Sequence, residues 1–181
     1  MRDVERQRLG NGLSHIDVTP MQVARAYAGL ATGSLPDLRL VRASGDEPFR
    51  VRSRPLPIEP RHLQRIQSAL GDVVAHRDGS AHGKGLGRSA LGFAFAAKTG
   101  SADYLKMTAE YRAQLHFPPE AEPQMRKHTW FVGFFPARAP TTVVVVFCHD
   151  IGVTSSHSAV HVAAQFLKSP EVQAYVQGAI R

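Results

Sequence analysis

The chain has 181 residues, 43% hydrophobic and 20% charged, with a net charge of +7. That length fits one domain able to bury roughly 70% of its unfolded surface, and the apolar content excludes an intrinsically disordered chain. A single cysteine, Cys148, excludes an internal disulfide and a Cys-rich zinc or iron–sulfur site, and the longest apolar run, Val143 to Cys148, is too short to cross a bilayer.

The first eight residues are charged with no apolar stretch behind them, so no signal peptide is read there. Seven of the 17 arginines fall between Arg39 and Arg65. Such a concentration suits a polyanionic partner or a solvated basic face, and the second is the commoner use.

From Val18 to Ala31 the pattern is helical. Thr19 is placed to cap the helix, Pro20 takes its first position, Met21, Ala24, Ala28 and Ala31 repeat along one face, and Gly33 supplies a stop. Two extended runs, Leu38 to Ala43 and Phe49 to Arg54, predict a hairpin. Its second run places Arg50, Arg52 and Arg54 on one face. Pro60 opens another helix with Leu63, Ile66, Leu70, Val73 and Val74 as its apolar stripe.

The glycine-rich stretch Gly79 to Gly87 reads as a flexible surface loop. It is not a phosphate-binding loop: three residues, not four, separate Gly79 from Gly83, and Lys84 is followed by Gly85 rather than a hydroxyl residue. Phe93 to Ala97 predicts a buried strand running into Lys98. Residues 104–128 are polar, contain three prolines and predict an inserted loop. Thr129 to Phe135 and Thr141 to His149 predict two strands. A closing helix follows from Ser158 to Gly178, with Val162, Phe166 and Leu167 facing inward. Helices first and a strand meander late predict an α+β fold: an antiparallel sheet of about three core strands with a small hairpin, packed against helices, residues 1–181 forming one unit.

Two groups of residues carry candidate chemistry. His157 and His161 stand four apart on a predicted helix, a spacing able to hold a metal. They lack the glutamate of zinc-protease helices and any evident third ligand, so no metal and no cofactor is expected. Lys98, Thr99, Gly100 and Ser101 follow a buried strand and precede two more. A lysine with neighbouring hydroxyls on an edge strand can bind a carboxylate, and a glycine there lets a ligand backbone lie close.

Several segments, taken in order, resemble the transpeptidase domains of penicillin-binding proteins. Gly10 to Ala31 is similar to the stretch ending in the family's TPxQxAxAYAxLA pattern. Gly79-Ser80-Ala81 is similar to the family's GTA, and Ala96 to Ala102 to its AGKTGTA. Thr129 to Pro136, followed by Val143 to Val146, is similar to the next two strands. The likeness runs over roughly residues 8 to 170 and is closest to the class B, peptidoglycan-crosslinking type.

The resemblance implies an incomplete serine β-lactamase/penicillin-binding fold and assigns roles. Lys98 would hold the charge and proton network of the site. Thr99 and Ser101 would bind the carboxylate of a stem peptide or β-lactam, with Gly100 between them. The Ser101 N–H would be one oxyanion donor. Two elements of the family chemistry, Ser-x-x-Lys and Ser-x-Asn, are absent from these 181 residues: Ala81, Phe95, Asp103, Gln124 and Gln165 stand three before the five lysines, and Leu9 stands two before Asn11, the only asparagine. The expected role is therefore the C-terminal part of a D,D-transpeptidase domain, inactive alone and with no nucleophile of its own. The alternative is a non-catalytic module that binds peptidoglycan or a cell-wall synthesis partner. The resemblance places a full-length parent on the extracytoplasmic face of the cytoplasmic membrane. It also implies an open edge on the strand from Thr141 to His149, a feature that invites association.

Overall fold

Local chemistry sets the first long helix. In the computed structural model, which describes residues 3–10, 17–40, 43–44, 47–48, 52–106, 124–152 and 157–180, a short polar helix α1 (Asp3–Gly10) precedes α2 (Pro20–Thr32). Thr19 Oγ1 accepts from the Gln22 N–H at 3.2 Å while Gln22 Oε1 accepts from the Thr19 N–H at 2.8 Å. This reciprocal capping box fixes the start of α2. Gly33, at φ 74°, closes the helix by donating its N–H to the Gly29 carbonyl, a left-handed stop that suits glycine. Tyr27, Leu30 and Ala31 face the core, whereas Met21, expected on that face, is exposed.

The hairpin pairs differently from expectation. Its outer strands are β1 (Ser34–Pro36) and β4 (Ser53–Pro55), and its inner ones β2 (Ala43–Ser44) and β3 (Glu47–Pro48). Because the chain turns at Gly33 directly into β1, the outer pairing is drawn back toward α2, and the Leu56 N–H donates to the Gly33 carbonyl at 2.9 Å. Leu38 and Leu40 are exposed. Arg52 and Arg54 are exposed too, and Arg50 lies outside the described residues.

Helix α3 (Pro60–Ala75) buries Leu70 and Val74, and Gln67 Nε2 ties it to the end of α2 by donating to the carbonyls of Leu30 and Ala31. The glycine-rich stretch beyond it is not merely a surface loop. Ala81 and Leu86 are wholly buried in the main core, and the chain turns between them through positive φ at Gly83 and Gly85. A one-turn helix α4 (Arg88–Leu91) follows.

The sheet has three antiparallel strands in the order β5 (Ala96–Lys106), β6 (Gln124–Phe135), β7 (Thr142–Gly152). Phe93 and Phe95 are buried as expected but lie ahead of the strand. The segment expected to be a loop from Tyr104 to His128 begins and ends as paired strand, with Tyr104 opposite Arg126 and Lys106 opposite Gln124. Residues 107–123 lie outside the description. At Gly133 an added Cβ would stand 2.2 Å from the Phe95 ring and 2.5 Å from the Ala96 carbonyl, so the close approach of the chain entering β5 requires glycine there.

The chain closes in two helices rather than one, α5 (Ala159–Leu167) and α6 (Pro170–Ile180). Pro170 cannot continue α5 and serves as the first residue of α6. Helix α5 turns Ala159, Val160, Ala163, Ala164 and Leu167 inward, while Val162 and Phe166, expected inside, are exposed. Small alanines let α5 lie close to the sheet. Its neighbours in the core are Phe93, Phe95, Phe131 and Phe135, whose rings stack in pairs with centroids 4.8 Å (Phe93–Phe135) and 5.3 Å (Phe95–Phe135) apart. A second cluster, Ala96 and Phe134 with Ala31 and Leu70, joins the opposite sheet face to α2 and α3.

Candidate active site

Alternation along β5 divides Lys98–Ser101 between two environments. Ala97 packs in the α5 core and Ala96 in the cluster beneath α2, so the period of two puts Thr99 and Ser101 on the α5 face and Lys98 and Gly100 on the α2 face. Register agrees: Thr99 stands opposite buried Phe131, Ser101 opposite Thr129, Lys98 opposite Val132 and Gly100 opposite Trp130. Among the described residues β5 pairs only with β6. Its outer edge therefore offers backbone N–H and C=O groups to a ligand, as an unpaired strand edge does.

On the α2 face a cleft of about 290 Å³ runs beside this edge, with Val18, Val23 and Tyr27 on one side and Lys98 to Ala102, Trp130 and Val132 on the other. Lys98 is exposed, and its Nζ donates to the Thr99 carbonyl at 2.6 Å. Burial pushes the Tyr27 hydroxyl pKa up from 10.0, so the phenol stays neutral. A Cβ at Gly100 would meet only Trp130 Cβ, at 3.5 Å. Packing within the protein does not require glycine at that position, and the space beside it stays open to a ligand.

Thr99 and Ser101 also border the cleft at the strand edge, and Thr99 Oγ1 and Ser80 Oγ lie 2.6 Å apart. Thr129 is buried, and its Oγ1 accepts from the Ala159 N–H at 2.9 Å, which fixes the start of α5 behind Ser101. Lys98, Thr99, Gly100 and Ser101 lie along one strand edge that borders the cleft. Ser80, Tyr27, Thr129 and Trp130 carry no role in the sequence alone, because each acquires its position only through tertiary pairing.

Beyond the cleft the same sheet face carries a run of rings. Trp130 meets Phe147 with centroids 4.2 Å apart, and His128 stacks on both Tyr104 and His149 at 4.6 Å. His128 Nδ1 accepts from the Asp150 N–H at 3.2 Å. Burial first, and then the neighbouring His149, lower the His128 pKa from 6.5, with Asp150 opposing. Asp150 itself, at φ 53°, is bound through Oδ1 by the Tyr104 hydroxyl and by Arg126 Nε. Among the described residues no group of three His, Cys, Asp or Glu side chains has the arrangement to hold a metal ion. His161 Nδ1 lies 2.8 Å from Ser158 Oγ at the start of α5.

The structure thus combines a three-stranded antiparallel sheet between helices with a Lys-Thr-Gly-Ser edge beside a cleft. Residues 2–168 match the family model described as the penicillin binding protein transpeptidase domain. The chain belongs to that family. No curated protein matches it. Solved structures that it resembles include penicillin-binding protein 2 of Pseudomonas aeruginosa in complex with WCK 5153, with a TM-score of 0.62 and 23% identity over 93% of this chain and 32% of that one. Penicillin-binding protein 2B of Streptococcus pneumoniae gives 0.63 and 17% over 92% and 27%. The imipenem acyl-enzyme of penicillin-binding protein A from Mycobacterium tuberculosis gives 0.56 and 19% over 93% and 32%. At these identities the likeness is one of fold, and the chain spans about a third of the length of the structures it matches. No described helix is long and apolar enough to cross a membrane.

Proposed function

We propose that the chain forms the substrate-binding wall of a peptidoglycan D,D-transpeptidase domain, its C-terminal part, with residues 1–181 acting as one partial domain and the stretch between β5 and β6 as an insertion. The observation that carries this reading is the Lys98–Ser101 edge facing a cleft with no strand on its outer side. Lys98 supplies positive charge and holds the site's proton network. Thr99 and Ser101 donate to the terminal carboxylate of a D-Ala-D-Ala stem or to that of a β-lactam. Gly100 lets the ligand backbone pair along β5, and the Ser101 N–H is one of the donors that stabilise the oxyanion formed when a serine attacks the carbonyl. That serine acylates and then passes the acyl group to an amine. It comes from residues outside this chain, since no Ser-x-x-Lys is present. The domain works on the extracytoplasmic face of the cytoplasmic membrane.

The absence of Ser-x-x-Lys and Ser-x-Asn from these residues favours a second reading: a module of the same fold that binds stem peptides or a cell-wall synthesis partner without turnover. Both readings predict that the chain alone takes no covalent label from a fluorescent penicillin. They also predict that it binds a D-Ala-D-Ala peptide reversibly, and that Lys98→Ala weakens this binding about tenfold, the scale of one charge-assisted contact. Covalent labelling of the chain alone contradicts both.

A further inference from the structure

We propose that Ser80 is a positioning residue for the ligand carboxylate, acting through Thr99. The inference rests on the reading of Lys98–Ser101 as a carboxylate site and adds to it a residue from a different part of the chain, 19 positions away.

Three observations place Ser80 there by construction. A Cβ at Gly79 would stand 2.4 Å from the carbonyls of both Asp72 and Val73, so only glycine lets the chain fold back so tightly on the end of α3. On the other side, Ala81 is 1% exposed in the main core, and its N–H donates to the Val73 carbonyl at 3.0 Å. Pinned on both sides, the exposed Ser80 brings its Oγ to 2.6 Å from Thr99 Oγ1. Neither hydroxyl has a second side-chain partner among the described residues.

The pair has two protons and uses one between its oxygens. Whichever hydroxyl donates to the other, one O–H is left to point outward from the strand edge, and the hydroxyl that donates it is itself accepting. A hydroxyl that accepts one hydrogen bond is a better donor of another. The coupled pair is thus built to donate to an anion rather than to sit among neutral amides. Its chemical preference is a free carboxylate over the corresponding carboxamide, whose nitrogen can only donate.

Calorimetric titration tests this with two probes, a peptide ending in D-Ala-D-Ala as the free acid and the same peptide as its C-terminal amide. The wild-type chain is expected to prefer the acid. Ser80→Ala is expected to lower the affinity for the acid about threefold, because Thr99 keeps its proton but loses the partner that aims and polarises it, and to leave the amide unchanged; Ser80→Thr keeps the preference. Ser80→Cys, which fills the same space with a weak donor, repeats the loss and decides the matter if the alanine variant fails to fold. Unchanged affinity for the acid, or equal loss for both probes, overturns the inference. If Lys98→Ala and Thr99→Ala weaken binding while Ser80→Ala does not, the inference fails alone. If the wild-type chain binds neither probe, the carboxylate site fails and takes the inference with it.

Discussion

Thr129 is a threonine in a core of aromatic and aliphatic side chains, and its role is a hydrogen bond rather than volume. Replacing it by valine keeps the shape and leaves the Ala159 N–H buried without its acceptor, a loss of about 1–3 kcal/mol. Thr129→Val is expected to lower the unfolding free energy measured in urea by that amount and Thr129→Ser to restore most of it; a valine variant as stable as wild type would show that water satisfies the amide. His128 makes a pH-dependent contribution. Its pKa lies below 6.5 in the folded chain, so the unfolded chain takes up the proton first as pH falls. Stability is therefore fully present above about pH 6.5 and is lost as pH drops below it. The groups facing His128 are Tyr104, His149 and Asp150, with Arg126 bound to Asp150, and protonating Nδ1 also breaks the bond from the Asp150 N–H. Comparing urea midpoints at pH 7.5 and 5.5 should show a smaller drop in His128→Phe than in wild type. Equal drops would place the titration elsewhere.

Among the elements, those set by neighbouring residues were legible in the sequence. Thr19, Pro20 and Gly33 mark α2 because caps and stops act within one turn, and Lys98–Ser101 could be placed on a strand because Phe95 to Ala97 and the valines of β7 read as buried. Long-range pairing was not legible. The left-handed turn at Gly33 fixes where β1 starts and so shifts the hairpin register. The extension of β5 and β6 through Tyr104 and Arg126 depends on a polar ladder with no hydrophobic alternation. On α5 only Leu167 of the three residues expected inside is buried, for a similar reason: Val162 and Phe166 are strongly apolar, yet close approach to the sheet selects the alanines. Ser80 stayed hidden because its meaning lies in a contact with Thr99 across 19 residues, although Gly79 and the GTA-like triplet mark the spot.

For the whole molecule, the two edges of the sheet have opposite consequences. The β5 edge stands beside the cleft and is the one proposed to take substrate. Among the described residues nothing pairs with the outer edge of β7, and its flank is apolar, with Phe147 exposed and a groove of about 480 Å³ bounded by Val143, Val145, Val172 and Tyr175. Such an edge invites strand addition. The isolated chain is expected to sediment as concentration-dependent oligomers, with Phe147→Lys shifting the distribution toward monomer. A monodisperse wild-type monomer with a cooperative melt would mean that this edge is covered. The central claim is that Lys98–Ser101 forms a reversible carboxylate site in a chain that does not acylate. Titrating the isotope-labelled chain with benzylpenicillin and following its amide resonances tests it most directly. Shifts are expected at Lys98 to Ser101 and Ser80 that return to their starting positions when the ligand is removed. Shifts that persist after removal, or an unperturbed β5, would contradict it.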